Sequence, residues 1–124
     1  RLFPEIVGIN NVELALNSVK DLNIEILLKG AHSVIADSEG KVWQLFGTDS
    51  FTARAGLGDL LSGFIAGISS MEISSGLNIT AESFAKYVLL HSVSASQCKE
   101  GSNASLIGNE LSRFIREIKM RQMS

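Results

Sequence analysis

Apolar positions recur along this chain with two different periods, and the switches between them divide it into elements. After Asn10 and Asn11, either of which can cap a helix, Val12, Ala15, Leu16 and Val19 follow the i, i+3, i+4, i+7 spacing of one buried face. That spacing predicts a helix ending near Asp21. Ile24-Glu25-Ile26-Leu27-Leu28 is short, branched and mostly apolar, as expected for an interior strand covered on both faces, and Lys29-Gly30 ends it. Ser33-Val34-Ile35-Ala36-Asp37 and Lys41-Val42-Trp43-Gln44-Leu45-Phe46 flank Ser38-Glu39-Gly40, which predicts an antiparallel hairpin with Gly40 supplying positive φ at the turn.

Residues 47–55 carry no periodicity and lead into Gly56-Leu57-Gly58-Asp59. Leu60, Leu61, Phe64, Ile65, Ala66 and Ile68 then describe a helix apolar almost all round, expected to be central and buried. Gly63 and Gly67 each cost about 1 kcal/mol relative to Ala in a helix, so close packing against sheet or ligand is the expected compensation. Thr80 caps a further helix with Phe84, Ala85, Val88, Leu89 and Ala95 on one side and a stop at Gly101. Ser102 or Asn103 caps the last helix, whose stripe is Leu106, Ile107, Leu111, Phe114, Ile115 and Ile118. Its Arg116, Lys119 and Arg121 favour the negative pole of the helix dipole. The expected order is helix, strand, hairpin, glycine loop and three helices, without internal repeat.

Composition narrows the class. A chain of 124 residues, 45% hydrophobic and 19% charged, can bury one core, which excludes a disordered segment. Net charge is −2 and basic residues are scattered until the last helix, so the electrostatic footprint of a nucleic-acid binder is absent. No apolar run approaches the roughly 20 residues of a membrane helix. Cys98 cannot form an internal disulfide and is expected as a small buried hydrophobe on a helix. With no His/Cys cluster at metal-ligand spacing, this suits a reducing cytoplasm. The opening Arg1-Leu2-Phe3-Pro4 has neither an initiator Met nor a signal-peptide core, and is expected to belong to a piece of a longer chain.

The most informative stretch is Gly56-Leu57-Gly58-Asp59 ahead of a buried helix. Glycines let the backbone approach a ligand, while the first-turn N–H groups and the positive end of the helix dipole form an anion site. Asp59 reads in two ways: as a first-turn carboxylate that stabilises the helix, or as a base taking the proton of a hydroxyl that attacks a nucleotide's terminal phosphate. Lys29-Gly30-Ala31-His32-Ser33 forms a turn in which Gly30 exposes backbone groups to a nucleotide, although Lys29 also reads as a solvated strand-end charge. His32 is expected as a surface turn residue, His91 as packed or partly exposed in mid-helix, and Trp43 as packing on the hairpin.

Leu28-Lys29-Gly30-Ala31, then Val34-Ile35-Ala36 and the Gly40 turn, then Ala53-Arg54-Ala55-Gly56-Leu57-Gly58-Asp59-Leu60-Leu61-Ser62-Gly63 together resemble the C-terminal half of the NAD(P)H-hydrate dehydratase family within the ribokinase-like superfamily. The resemblance implies that residues 1–124 form the C-terminal part of a ribokinase-like three-layer α/β/α nucleotide-binding domain. It implies use of ADP or ATP, with Mg2+ expected beside it, to phosphorylate the hydroxyl of hydrated NADH or NADPH, after which phosphate loss restores the dihydronicotinamide ring. Carried over by position, Lys29, Gly30, Ala31, His32 and Ser33 would lie along the adenine nucleotide. Gly56, Leu57 and Gly58 would supply the anion hole, and Asp59 would be the catalytic base. A homo-oligomer, or association with the other half of the domain, would complete the fold.

Where the family usually has Gly-Gly-Thr-Gly-Asp, this chain reads Ala55-Gly56-Leu57-Gly58-Asp59, losing a glycine and a hydroxyl but keeping the backbone donors. Thr48-Asp49 stands in place of an Asn-Pro pair, and Arg54 in place of a small residue. Two other functions fit the same residues: a ribokinase-like small-molecule kinase, for a sugar, vitamin or heterocycle, and a non-catalytic nucleotide-binding fragment.

Overall fold

In a computed structural model, the structure describes residues 10–30, 32–45, 56–98 and 103–123. The first helix, α1 (Asn11–Leu22), starts where Asn10 holds extended backbone and its side chain accepts the Glu13 N–H at 2.9 Å. It ends at Asn23, which turns left-handed at φ 50° and donates its N–H to the Val19 carbonyl. Ala15, Ser18 and Val19 are its buried face, so the predicted stripe is the one that packs.

Three short strands follow, β1 (Ile26–Leu28), β2 (Val34–Ala36) and β3 (Val42–Gln44), in an antiparallel meander of order β1-β2-β3. Leu27 pairs with Ile35 and Ile35 with Trp43, and Gly40 makes the β2–β3 turn at φ 88°. Val34 and Ala36 pack against Ala15 and Val19 of α1. Ile35, on the opposite face by strand alternation, is also fully buried, and α3 (Ala81–Gln97) packs against both β1 and β2. This corrects the expectation for Ile24 to Leu28. The strand is only Ile26–Leu28, it is half-buried at the sheet edge, Ile24 is 49% exposed, and β2 is the interior strand. Phe46, expected at the end of β3, lies outside the described residues.

The second helix, α2 (Leu57–Ser74), begins before the expected Leu60, because Gly56 as N-cap adopts φ 83° and Leu57 is already helical and buried. Leu57 forms a second core with Ala95 of α3 and Ile107 of α4 (Ala104–Met123), flanked by Leu60, Cys98 and Ala104. Along α2 only Leu57 and Leu61 are buried, so it is not the central helix its composition suggested. A Cβ at Gly63 or Gly67 would meet nothing within 4 Å, so close packing at these glycines is not the compensation expected either.

The start of α3 carries a reciprocal capping box between Thr80 and Ser83. Val88 and Ala95 are buried as expected, whereas Leu89 is 54% exposed. Cys98 is the half-buried C-cap rather than a helix-interior hydrophobe, with its thiol directed at the Ser94 carbonyl. The α4 stripe is buried at Ile107 and Leu111 and exposed at Leu106, and Asn103 accepts the Leu106 N–H at 3.0 Å as the cap. Among the described residues no helix is long and apolar enough to cross a membrane.

Candidate functional site

Lys29, just after β1, meets the start of α2 at a corner where Gly58, Asp59 and Ser62 lie. A glycine at positive φ caps α2 with no side-chain hydrogen bond, so among the described residues the first-turn N–H groups receive no capping side chain. Asp59 is the acidic residue of that turn and is exposed, as is Gly58. The positive end of the helix dipole and the exposed Gly58 thus lie together in the first turn of α2.

Lys29 reaches across from the turn after β1. Its ammonium donates to the Gly58 carbonyl at 3.0 Å and to the Ser62 hydroxyl at 2.8 Å, joining segments 29 and 33 residues apart in sequence. The Ser62 hydroxyl donates its own proton to the same Gly58 carbonyl at 3.0 Å, which leaves its lone pairs for the lysine. Among the described residues no carboxylate, Asp59 included, forms an ion pair with Lys29. A Cβ on Gly58 would stand 3.5 Å from the ammonium, an ordinary contact, so Gly58 leaves backbone open there without being sterically required. At Gly56 the positive φ itself requires glycine.

The remaining residues of the expected nucleotide segment divide. A Cβ at Gly30 would lie 3.9 Å from the Asn11 side-chain amide, so the first turn of α1 borders the same turn. His32 is exposed, as expected for a turn residue, whereas Ser33 is 6% exposed and its carbonyl accepts the Leu45 N–H at 3.0 Å. Ser33 is thus drawn into the sheet. Ala31 lies outside the described residues, together with Ala53, Arg54 and Ala55. Leu57 has its side chain committed to the core with Ala95 and Ile107, which leaves only its backbone for the expected anion hole. That burial is a physical reason for a leucine at this loop position.

Two residues of this corner carry no motif of their own. Ser62 could have been found from its spacing, because i+4 from Gly58 puts it on the same helix face. Asn11, an alternative cap by sequence, is instead the first helical residue, with Asn10 as the cap. Away from the corner, Tyr87 donates to the Glu72 carboxylate. Burial first, and that carboxylate second, push its phenol up to about 12. Its ring meets Phe64 edge-on, with centroids 6.2 Å apart. His91 is 8% exposed, its Nε2 lacks a partner among the described residues, and burial lowers its pKa. Trp43 is half-buried under the Lys41 ammonium, 5.2 Å from the ring centroid, a packing role as expected.

Among the described residues no three His, Cys, Asp or Glu side chains gather to hold a metal ion. An ion arriving with a nucleotide would be carried by its phosphates, with Asp59 the carboxylate of the α2 first turn.

Comparison with known proteins gives one consistent family. The family model for NAD(P)H-hydrate dehydratase matches residues 1–116. A bifunctional NAD(P)H-hydrate repair enzyme Nnr from Thermosynechococcus vestitus is 34% identical over 74 residues, 58% of this chain and 15% of the relative. Enzymes of the same name from Synechocystis sp. and Gloeobacter violaceus are each 35% identical over 68 residues, 55% of this chain and 13% of theirs. The matched stretch is therefore a small part of those relatives' length.

Proposed function

The chain belongs to the NAD(P)H-hydrate dehydratase family, and from that premise we propose that it supplies the nucleotide side and the base of an ADP- or ATP-dependent repair of hydrated NADH or NADPH. The observation that carries the proposal is the Lys29 ammonium on the Gly58 carbonyl, 3.0 Å away, which draws the lysine-glycine turn and the glycine-aspartate helix start into one corner. A nucleotide phosphate set against the first turn of α2 would meet backbone N–H donors, the helix dipole and a lysine together.

In the proposed reaction the hydroxyl oxygen of the hydrate attacks the terminal phosphorus of the nucleotide, and Asp59 accepts the hydroxyl proton as the O–P bond forms. The shortened nucleotide leaves with the electrons of the broken P–O bond. Phosphate then departs from the ring with its bonding pair, a proton is lost from the neighbouring carbon, and the ring double bond returns. The ring is neither oxidised nor reduced overall. Gly56, Leu57 and Gly58 hold the phosphate through backbone, and Lys29, Gly30, Ala31, His32 and Ser33 line the nucleotide. Of these, Ser33 is the least available, being buried.

Membership also supports placing the sheet in a ribokinase-like three-layer α/β/α domain, completed by a second copy or by the other half of the domain. A cytoplasmic setting fits this reading, since adenine nucleotides and reduced nicotinamide cofactors are both present there.

Isothermal titration of the whole protein with ADP and ATP tests the nucleotide assignment. Saturable heat at or below millimolar nucleotide, reduced about tenfold in affinity or more by Lys29→Met, is the expected result. Absence of heat or competition at millimolar concentration would remove the proposal.

A further inference from the structure

We infer that Ser62 is a positioning residue that holds the Lys29 ammonium at the anion-binding face of α2. The inference rests on the function proposed above and adds a residue to that site. A lysine head on a flexible four-carbon stem ordinarily moves out into water. Here it is brought to the start of a helix, where the dipole is positive and a cation is electrostatically unfavourable. What keeps it there is a closed triangle: Lys29 donates to Ser62 at 2.8 Å and to the Gly58 carbonyl at 3.0 Å, and Ser62 donates to that carbonyl at 3.0 Å.

The direction of the serine bond matters. Because its one proton goes to Gly58, the Ser62 oxygen faces the ammonium as an acceptor, a role that threonine can reproduce and alanine cannot. Both acceptors are neutral, and among the described residues no carboxylate offsets the lysine charge. The lysine charge and the positive end of the helix dipole are thus held within one turn of each other, and an anion bound beside both would relieve their mutual repulsion. Ser62 thus acts before ligand arrives, fixing a charge that would otherwise have to be ordered on binding.

The test compares ADP affinity and steady-state kinetics of the whole protein with Ser62→Ala, Ser62→Thr, Lys29→Met and the Lys29→Met/Ser62→Ala double variant, with thermal melts recorded alongside. Ser62→Ala should raise the ADP Kd and the nucleotide KM about 3- to 10-fold, the scale of one lost hydrogen bond to a charged group, while kcat falls less than KM rises. Ser62→Thr should stay within about twofold of the parent protein, and Ser62→Ala should add nothing in the Lys29→Met background. An unchanged Kd in Ser62→Ala, an equal loss in both backgrounds, or a Ser62→Thr variant as weak as Ser62→Ala would overturn the inference. If Lys29→Met weakens ADP and Ser62→Ala does not, the positioning role alone fails. If Lys29→Met leaves ADP binding intact, nucleotide placement at this corner fails with it.

Discussion

Tyr87 is the chain's single tyrosine, so its ionisation can be followed without ambiguity by tyrosinate absorbance near 295 nm. Burial favours the neutral phenol, and the Glu72 carboxylate that accepts its proton adds to that preference. A folded-state pKa raised from 10.0 to about 12 means that the stabilisation is complete below pH 10 and is lost as pH climbs from 10 toward 12. The folded chain should therefore titrate near the upper value and the urea-unfolded chain near the lower one. Glu72→Gln should lower the folded midpoint only part of the way, because burial is the larger cause. A midpoint near 10 in a chain that keeps its native circular dichroism would contradict the buried pair.

The two interior glycines of α2 set the sign of a stability change. Since a Cβ at Gly63 or Gly67 meets nothing within 4 Å, each glycine-to-alanine change should stabilise the chain by about 0.5–1 kcal/mol. For a chain of this length that is a Tm rise of about 2–6 °C. A fall in Tm for either variant would mean that this helix face is packed closely in solution. The element order was legible from periodicity and glycines: the Asn10 cap, the Gly40 turn and the Thr80 cap each act within a few residues of sequence. Burial was less so. Ile26–Leu28 is as apolar as an interior strand, yet it is Val34–Ala36 that has a strand on each side, a property of tertiary neighbours that no local pattern encodes. The start of α2 moved ahead of Leu60 because Leu57 has Ala95 and Ile107 to pack against. The glycine-aspartate helix start could be read from adjacent residues, whereas the bond from Lys29 to Ser62 spans 33 residues and exists only in the fold.

The whole molecule leaves apolar surface open as well as a charged corner. Met71, Ile73 and Leu77 are 53%, 59% and 56% exposed, and a groove of about 700 Å³ runs past Phe64, Ile68, Met71, Leu77 and Ile115. An environment-sensitive apolar dye should bind this chain in its native state, and the double variant Met71→Lys/Leu77→Lys should lose most of that fluorescence. A native chain that leaves the dye dark would show the face to be covered in solution. The proposed base lies at the other end of α2, and Asp59→Asn in the whole protein separates its two possible roles. Asparagine is itself compatible with a helix start, so a carboxylate that only stabilised the first turn would be replaced with little change in stability or rate. If Asp59 is the base, ADP affinity should hold, because backbone and Lys29 bind the phosphate, while kcat for hydrated NADH falls about 10²–10⁴-fold with KM little altered. Full turnover by a folded Asp59→Asn protein would show that Asp59 is not the base.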